Sequence, residues 1–133
     1  MKAMQGMTLI ELMVVMALVA ILTTWGVATY RNQTGRVHRA EAQQFMLTVA
    51  SRQETYHLDT RRYGTLADLK ITVPAAVAAH YAVQLEPDNA SQPAHYNLTA
   101  TPQPEQAALG EPVLKLDDQG RTVPAELWQG HHP

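Results

Sequence analysis

The sequence predicts an α+β fold in which one long N-terminal helix packs on a small antiparallel sheet of three to four strands. No proline precedes Pro74, so a helix can run from Thr8 to about residue 60, with only Gly26 and Gly35 to weaken it. Short runs of alternating apolar and polar residues follow Pro74, as is typical of strands. A helix of roughly 75 Å with a sheet near one end would give a lollipop-shaped protein.

The first half of this helix is apolar. The run from residue 7 to residue 27 reads MTLIELMVVMALVAILTTWGV and is 21 residues long. A helix of that length spans roughly 30 Å, which matches the hydrocarbon core of a bilayer. We therefore expect this half of the helix to cross a membrane.

The second half of the helix is amphipathic. Beyond Tyr30, apolar residues recur three or four positions apart with one polar gap, at Ala42, Phe45, Met46, Val49, Gln53 and Tyr56. A stripe of this kind on a polar helix indicates the face that a domain core covers. The elements that cover it are expected after Gly64, where the helical period stops.

Strands are expected in the C-terminal half of the chain. Two of them are marked by alternation at Tyr81, Val83 and Leu85 and at Tyr96, Leu98 and Ala100. A third run, residues 113–116, continues through the turn-forming residues 117–120 to Thr122 and Val123, which is typical of a hairpin. Residues 65–69 are predicted to form a turn, and residues 87–93 and 102–112 to form loops.

Composition limits the possible functions. The 133 residues carry a formal net charge of -2, which gives no overall attraction to nucleic acid or anionic lipid. The charge is uneven, since seven acidic residues from Ile71 onward face only Lys115 and Arg121. The chain has no cysteine, so disulfides, thiol nucleophiles and cysteine metal sites are excluded.

No motif for catalysis or cofactor binding is found. The sequence has no Gly-rich phosphate loop, HExxH motif or nucleophile elbow, and Asp117-Asp118 falls in the predicted turn. The histidines lie in different predicted elements or beside the terminal Pro133, and we expect them at the surface: His38, His57, His80, His95, His131 and His132. The sequence therefore predicts neither an enzyme nor a cofactor or metal site.

Glu11 is an acidic residue inside the apolar run. An ionised carboxylate at the centre of a bilayer costs about 2.5 to 3.5 kcal/mol or more. Either Glu11 lies close enough to the membrane edge to reach water, or a cation in the same layer neutralises it. Cleavage after Gly6 would create that cation as the new amino terminus of Met7.

A secretory signal is the alternative interpretation of this segment. Gly26-Val27-Ala28 fits a small-residue cleavage site, and the product would be a secreted protein that begins at Thr29. This interpretation discards the whole apolar run and leaves Glu11 without a purpose. We prefer the interpretation in which the apolar helix is kept.

The segment Gly6-Met7-Thr8-Leu9-Ile10-Glu11-Leu12, followed by a long apolar helix, resembles the prepilin signature of type IV pilins and type II secretion pseudopilins. The resemblance implies that a prepilin peptidase cuts after Gly6 and methylates the amine of Met7, and that Glu11 serves subunit assembly. It departs from the family at Met7, where Phe is common, and at Ala28, where a helix-kinking Pro is frequent.

The resemblance also implies a division of the chain and a location. Residues 1–6 would be the leader, residues 7–28 the transmembrane and filament-core helix, and residues 29–133 the soluble pilin domain. The chain would cross the inner membrane once, with its C-terminal domain outside the cytoplasm, and then join a surface pilus or pseudopilus. The positive-inside rule opposes this orientation, because Arg31, Arg36 and Arg39 outnumber Lys2, so the orientation depends on the resemblance.

A narrower resemblance is to PilE/ComP-like minor pilins. It is carried by Arg39-Ala40-Glu41-Ala42, Arg52-Gln53-Glu54-Thr55-Tyr56, Tyr63 and Tyr96-Asn97-Leu98-Thr99-Ala100-Thr101-Pro102. Members of that group usually close the C-terminal region with a disulfide whose second cysteine precedes a Trp. Here Leu127 precedes Trp128, and burial of these two side chains is expected to replace the missing bridge.

Three functions follow, in order of preference. The first is a structural subunit of a type IV pilus, with a minor pilin preferred, whose partners are prepilin peptidase, other pilin subunits, the inner membrane and the pilus assembly machinery. The second is a type II secretion pseudopilin, since Arg62-Tyr63-Gly64-Thr65-Leu66 faintly resembles the post-helix loop of the main pseudopilin. The third is a DNA-uptake pilin that binds nucleic acid through Arg52, Arg61 and Arg62, which ranks last because the outer region is acidic.

Overall fold

The computed structural model describes residues 6–128, so most of the predicted leader, and His131 and His132, lie outside the described residues. Helix α1 runs from Leu9 to Thr60 and confirms the predicted long N-terminal helix. The chain divides into two compact units, the first ending at Thr34 and the second beginning at Gly35. Both units contribute residues to α1.

The described part of the first unit is mainly apolar helix with exposed side chains. Among the described residues, α1 is the one helix that is long and apolar enough to cross a membrane. Its hydroxyl groups are satisfied locally: Thr23 donates to the carbonyl of Val19 at 2.7 Å, and Thr24 to that of Ala20 at 3.0 Å. Such internal hydrogen bonds allow polar side chains to enter hydrocarbon, because no water is needed to satisfy them.

The second unit contains the remainder of α1, a four-stranded sheet and three short helical turns. In chain order these are α2 (Ala75–Ala78), β1 (Tyr81–Asp88), β2 (His95–Pro102), α3 (Pro104–Ala108), β3 (Leu114–Asp117), β4 (Thr122–Val123) and a 3-10 helix (Ala125–Leu127). The strands lie in the order β1-β2-β3-β4, and every neighbouring pair is antiparallel. The predicted α+β fold, with strands around all three expected runs, is confirmed.

The strand register sorts the side chains into two faces. Leu98 lies opposite Leu85 on one side and Leu116 on the other, so the apolar residues share one face of the sheet. Thr99 lies opposite Gln84 and Lys115 on the other face, which is polar. The apolar face supplies the core.

The predicted stripe of α1 forms the other wall of the core. Ala42, Met46 and Val49 are fully buried, and Phe45 is 8% exposed. They pack in one cluster with buried residues of the sheet and its connections, which include Tyr63, Leu69, Val77, Tyr81, Tyr96, Leu98, Leu114 and Trp128. The stripe therefore marks the core-facing side of the helix, as the sequence predicted.

Gln53 is the polar gap in the stripe, and it fixes the chain after the helix. The residue is fully buried, its Nε2 donates to the carbonyl of Gly64 at 2.7 Å, and its Oε1 accepts from the Gly64 N–H at 2.9 Å. Asn89 does the same for Tyr63, with its Oδ1 accepting at 2.8 Å and its Nδ2 donating at 2.9 Å. Two side-chain amides thus satisfy the backbone hydrogen-bonding groups of Tyr63 and Gly64, which belong to no strand.

Two glycines are required by close packing. A Cβ at Gly64 would lie 2.9 Å from the Cβ of Asp68 and 3.1 Å from Cε1 of Tyr56. A Cβ at Gly35 would lie 3.0 Å from Cδ1 of Leu109. The sequence predicts only that Gly35 weakens the helix, and the packing explains why that cost of about 1 kcal/mol is tolerated.

The C-terminal region is held without a disulfide. Trp128 is 7% exposed and belongs to the core cluster, as expected, whereas Leu127 is only half-buried, so the expected burial holds fully for Trp128 and in part for Leu127. Gln43, itself buried in α1, donates from Nε2 to the carbonyl of Leu127 at 3.1 Å. Arg39 adds an ion pair of 2.7 Å from Nη1 to Oε2 of Glu111, which is largely buried.

The predicted loops were wrong in part. Residues 104–108 form α3 inside the expected loop 102–112, because Pro104 begins the helix and the residues after it are good helix formers. The strands also extend further than expected, β1 through Pro87 to Asp88 and β2 to Pro102. Gln106 of α3 is buried and donates to the Gly35 carbonyl at 2.6 Å and to the Tyr81 hydroxyl at 3.2 Å.

Candidate assembly and binding sites

Thr8 and Glu11 cap the start of α1. Residues 6–8 are not helical, the helix begins at Leu9, and the Glu11 N–H donates to Oγ1 of Thr8 at 3.3 Å. This is one half of a capping box, in which a Thr precedes a Glu by three positions. This role was not predicted from the sequence, although the Thr-x-x-Glu spacing before an apolar run signals it.

The helix start also favours an acid at position 11. Glu11 lies in the first turn, where the partial positive charge of the helix terminus stabilises a carboxylate. With Gly6 still joined to Met7, the nitrogen of Met7 is a neutral amide and offers no counter-ion. A charged partner for Glu11 would arise only when that bond is cut.

Gly6 has no packing role among the described residues. No heavy atom lies within 4 Å of the position that a Cβ would occupy, and the residue is exposed. A larger side chain would therefore fit the folded chain. The fold of the described residues therefore gives no reason for glycine at this position.

The predicted basic cluster is divided between two places. Arg52 lines a groove with Lys70, whereas Arg61 and Arg62 follow the end of α1 and do not line that groove. All four side chains are exposed. Arg61 has φ of 60° and donates its N–H to the carbonyl of His57 at 2.8 Å, so a basic residue stands where a helix end usually has glycine.

The histidines are less exposed than the sequence suggested. The rings of His38 and His80 stack with their centroids 3.4 Å apart, and His57 stacks on Tyr63 at 4.4 Å. His38, His57 and His80 are all partly buried. Within residues 6–128, no group of three or more His, Cys, Asp or Glu residues could hold a metal ion.

Of the adjacent acids, Asp117 holds the hairpin turn in which Asp118 also lies. Oδ1 of Asp117 accepts from the N–H groups of Gln119 and Arg121 at 3.0 and 2.9 Å, and Oδ2 accepts from Nε of Arg121 at 2.6 Å. The nearby hydroxyl of Tyr96 stays protonated, because burial and then the Glu54 carboxylate raise its pKa. These groups stabilise the fold, and their arrangement is not that of an acid-base pair.

Comparisons with known proteins identify the family. A model described as type IV minor pilin ComP, DNA uptake sequence receptor, matches residues 28–110, which are 83 of the 133 residues. A model of the prokaryotic N-terminal methylation motif matches residues 1–27. The chain is also similar to a solved type IV pilin from Shewanella oneidensis, with a TM-score of 0.54 and 23% identity over 68% of this chain and 92% of that one. At that identity the likeness shows the fold.

The sequence motif, the fold and the family models agree. The exposed apolar helix with its methylation motif fits membrane anchoring. The pilin family implies processing of a prepilin and contact with other pilin subunits, and its members are structural proteins. This chain belongs to the family of type IV minor pilins that includes ComP, and it is a structural subunit of a type IV pilus.

Proposed function

We propose that prepilin peptidase cuts this chain between Gly6 and Met7 and methylates the new Met7 amine. Three observations support the proposal: the methylation motif covers the site, the bond lies in non-helical chain, and glycine at position 6 has no role in packing among the described residues. A peptidase needs an accessible chain that has not yet entered a helix. A small residue at the cut fits a narrow binding site.

After the cut, the Glu11 carboxylate would direct assembly by pairing with a cation of a neighbouring subunit. Glu11 is the only charged residue between Met7 and Tyr30, in a helix whose apolar side chains are exposed. The Met7 amine of one subunit would neutralise the Glu11 carboxylate of a neighbour in an apolar filament core, and this pairing would set the axial register. The pilus assembly machinery would supply the order in which subunits enter.

Before assembly, the chain would be a single-pass inner-membrane protein. The residue 7–28 helix would span the bilayer, with the leader in the cytoplasm and the unit that begins at Gly35 outside it. The match of residues 28–110 to a minor-pilin model favours a pilus over a secretion pseudopilus as its destination.

Mass spectrometry of the membrane-bound protein is expected to find Met7 as the first residue, N-methylated. Changing Gly6→Ala keeps a small residue and should reduce cleavage, whereas Gly26→Ala, in the alternative signal site, should have no effect on it. A mature end at Thr29 would contradict the proposal and establish a secreted protein.

A second function, binding of duplex DNA, is favoured by one structural observation and one comparison. Arg61 holds a left-handed backbone conformation that costs about 1 kcal/mol for a residue other than glycine, and Arg62 beside it is exposed. An exposed cation held in such a conformation is a candidate functional residue. The family matched over residues 28–110 is described as a DNA uptake sequence receptor.

If Arg61 and Arg62 bind phosphates, their joint change to Gln should weaken DNA binding and make it less dependent on salt. The slope of log K against log salt should become shallower by about 0.9 for each phosphate that the variant no longer neutralises. Fluorescence anisotropy of labelled duplex with the full chain in detergent measures this slope. Arg31→Gln with Arg36→Gln is the matched control for net charge, and an equal effect of both double variants would contradict a local site.

A further inference from the structure

The second unit carries an apolar groove between one face of α1 and residues 70–77. Its volume is about 820 Å³. Phe45 and Val77 form buried parts of its wall, and Ile71 is half-buried. Val37 also lines it and remains 51% exposed. The described residues leave this surface uncovered, which is typical of a contact site for another molecule.

The groove is positively charged. Arg52 and Lys70 both line it, both are exposed, and neither forms an ion pair with another described residue. The acid in its lining, Glu41, lies 3.7 Å from Nδ1 of His38. The partner that fits this surface therefore has apolar side chains beside a carboxylate.

Lys70 is held at the groove at a conformational cost. Its φ is 55°, a left-handed conformation that glycine adopts more readily than lysine. The N–H groups of Lys70 and Ile71 donate to the carbonyls of Ala67 and Leu66, each at 3.0 Å, and fix this conformation. The folded unit gains no ion pair from this lysine among the residues described, so its charge is available to a partner.

We propose that this groove is the contact site for the adjoining pilin subunit of the filament, which inserts an apolar side chain and places a carboxylate between Arg52 and Lys70. The inference rests on the function of the chain as a pilus subunit. This chain itself carries exposed residues of the complementary chemistry, since Val123 is 53% exposed and Glu126, which follows it closely in the sequence, is also exposed. Contact between a groove on one subunit and a different surface of the next is heterologous, and a heterologous contact that does not close into a ring propagates into a helical filament.

Single cysteines test whether the groove is covered, because the natural chain has none. Ala40→Cys lies in the groove and Ala82→Cys on β1, and both alanines are exposed. In membranes, both variants should react equally with a maleimide. In sheared filaments, labelling of Ala40→Cys should fall by about fivefold or more relative to Ala82→Cys, because the core of an interface excludes solvent.

Charge reversal tests the predicted carboxylate. Lys70→Glu should lower incorporation into filaments by about three- to tenfold, whereas Lys70→Arg should preserve it. Lys115→Glu, an equal charge change on an exposed site of β3, should have no effect. Equal losses for Lys70→Glu and Lys115→Glu would overturn the charged contact.

The outcomes separate this inference from the proposed function. Equal labelling of Ala40→Cys in filaments and membranes would overturn the groove contact while leaving the chain a pilus subunit. Protection that already exists in membranes would assign the groove to a lipid or another membrane component and would also overturn it. Absence of the parent chain from filaments would contradict both.

Discussion

Glu11→Val is expected to remove this chain from pilus filaments while its amount in membranes stays the same or rises. On transfer energies alone the change favours insertion, because it removes a charged group from an apolar helix. In a filament it would leave the Met7 ammonium unpaired in an apolar core, which costs about 3 to 5 kcal/mol per subunit. Such a cost corresponds to a weakening of about two to three and a half decades. The measurement is the amount of protein in sheared filaments relative to membranes.

Two further variants separate the charge of Glu11 from its position at the helix start. Thr8→Ala removes the capping hydroxyl, which costs about 0.5 to 2 kcal/mol of helix stability, but keeps the carboxylate. Glu11→Gln keeps the size and the capping-box pattern but loses the charge. The pairing mechanism requires a greater loss with Glu11→Gln than with Thr8→Ala. If Thr8→Ala caused the greater loss, or if Glu11→Val were incorporated normally, the role of the carboxylate in pairing would be disproved.

The long-range plan of the fold could be predicted because it depends on periodic patterns. The spacing of Ala42, Met46 and Val49 repeats every three to four residues, and the alternation at Leu98 and Ala100 repeats every two, so both read directly as buried faces. Helix and strand periods are properties of neighbouring residues. A single sequence therefore contains enough information to find them.

The parts that were missed depend on contacts between distant residues. In the sequence, Gln53 only interrupts an apolar stripe, and its role appears when the fold places Gly64 beside it. Gln106 falls in a predicted loop, and its role appears when the fold brings Gly35 and Tyr81 to its side chain. His38 and His80 lie 42 positions apart, and nothing in either segment predicts that their rings stack. Their partners are set by tertiary packing, which local patterns do not encode.

The candidate sites show the same difference between local sequence patterns and contacts of distant residues. Gly6, Met7 and Glu11 form a short motif, so the sequence could propose their roles by resemblance, and these roles stay predictions. The two cations of the groove could not be predicted in this way. Lys70 lines the same groove as Arg52 only because residues 70–77 pack beside α1. Proximity along the chain grouped Arg52 with Arg61 and Arg62. In the structure, Arg52 instead shares a groove with Lys70.

Gln53→Ala should destabilise the second unit more than most single changes, by about 2 to 4 kcal/mol. The change leaves the buried N–H and carbonyl of Gly64 without partners, and each unpaired group costs roughly 1 to 3 kcal/mol. It also opens a cavity in the core, because the Gln53 side chain is fully buried. In a fragment that begins at Arg31, Trp128 is the only tryptophan, so its fluorescence reports unfolding in urea. The midpoint should fall by about 1 to 2 M.

Gln44→Ala is the matched control, because it makes the same change on the same helix at an exposed position. Its free energy of unfolding should stay within about 0.5 kcal/mol of the parent's, the range of ordinary surface substitutions. Gln53→Met separates the two causes of the Gln53→Ala effect, since methionine fills the space but makes neither hydrogen bond. If Gln53→Met were as stable as the parent, the cavity alone would explain the loss. A Gln53→Met variant nearly as unstable as Gln53→Ala is the result expected when the paired amide holds the segment after the helix in place.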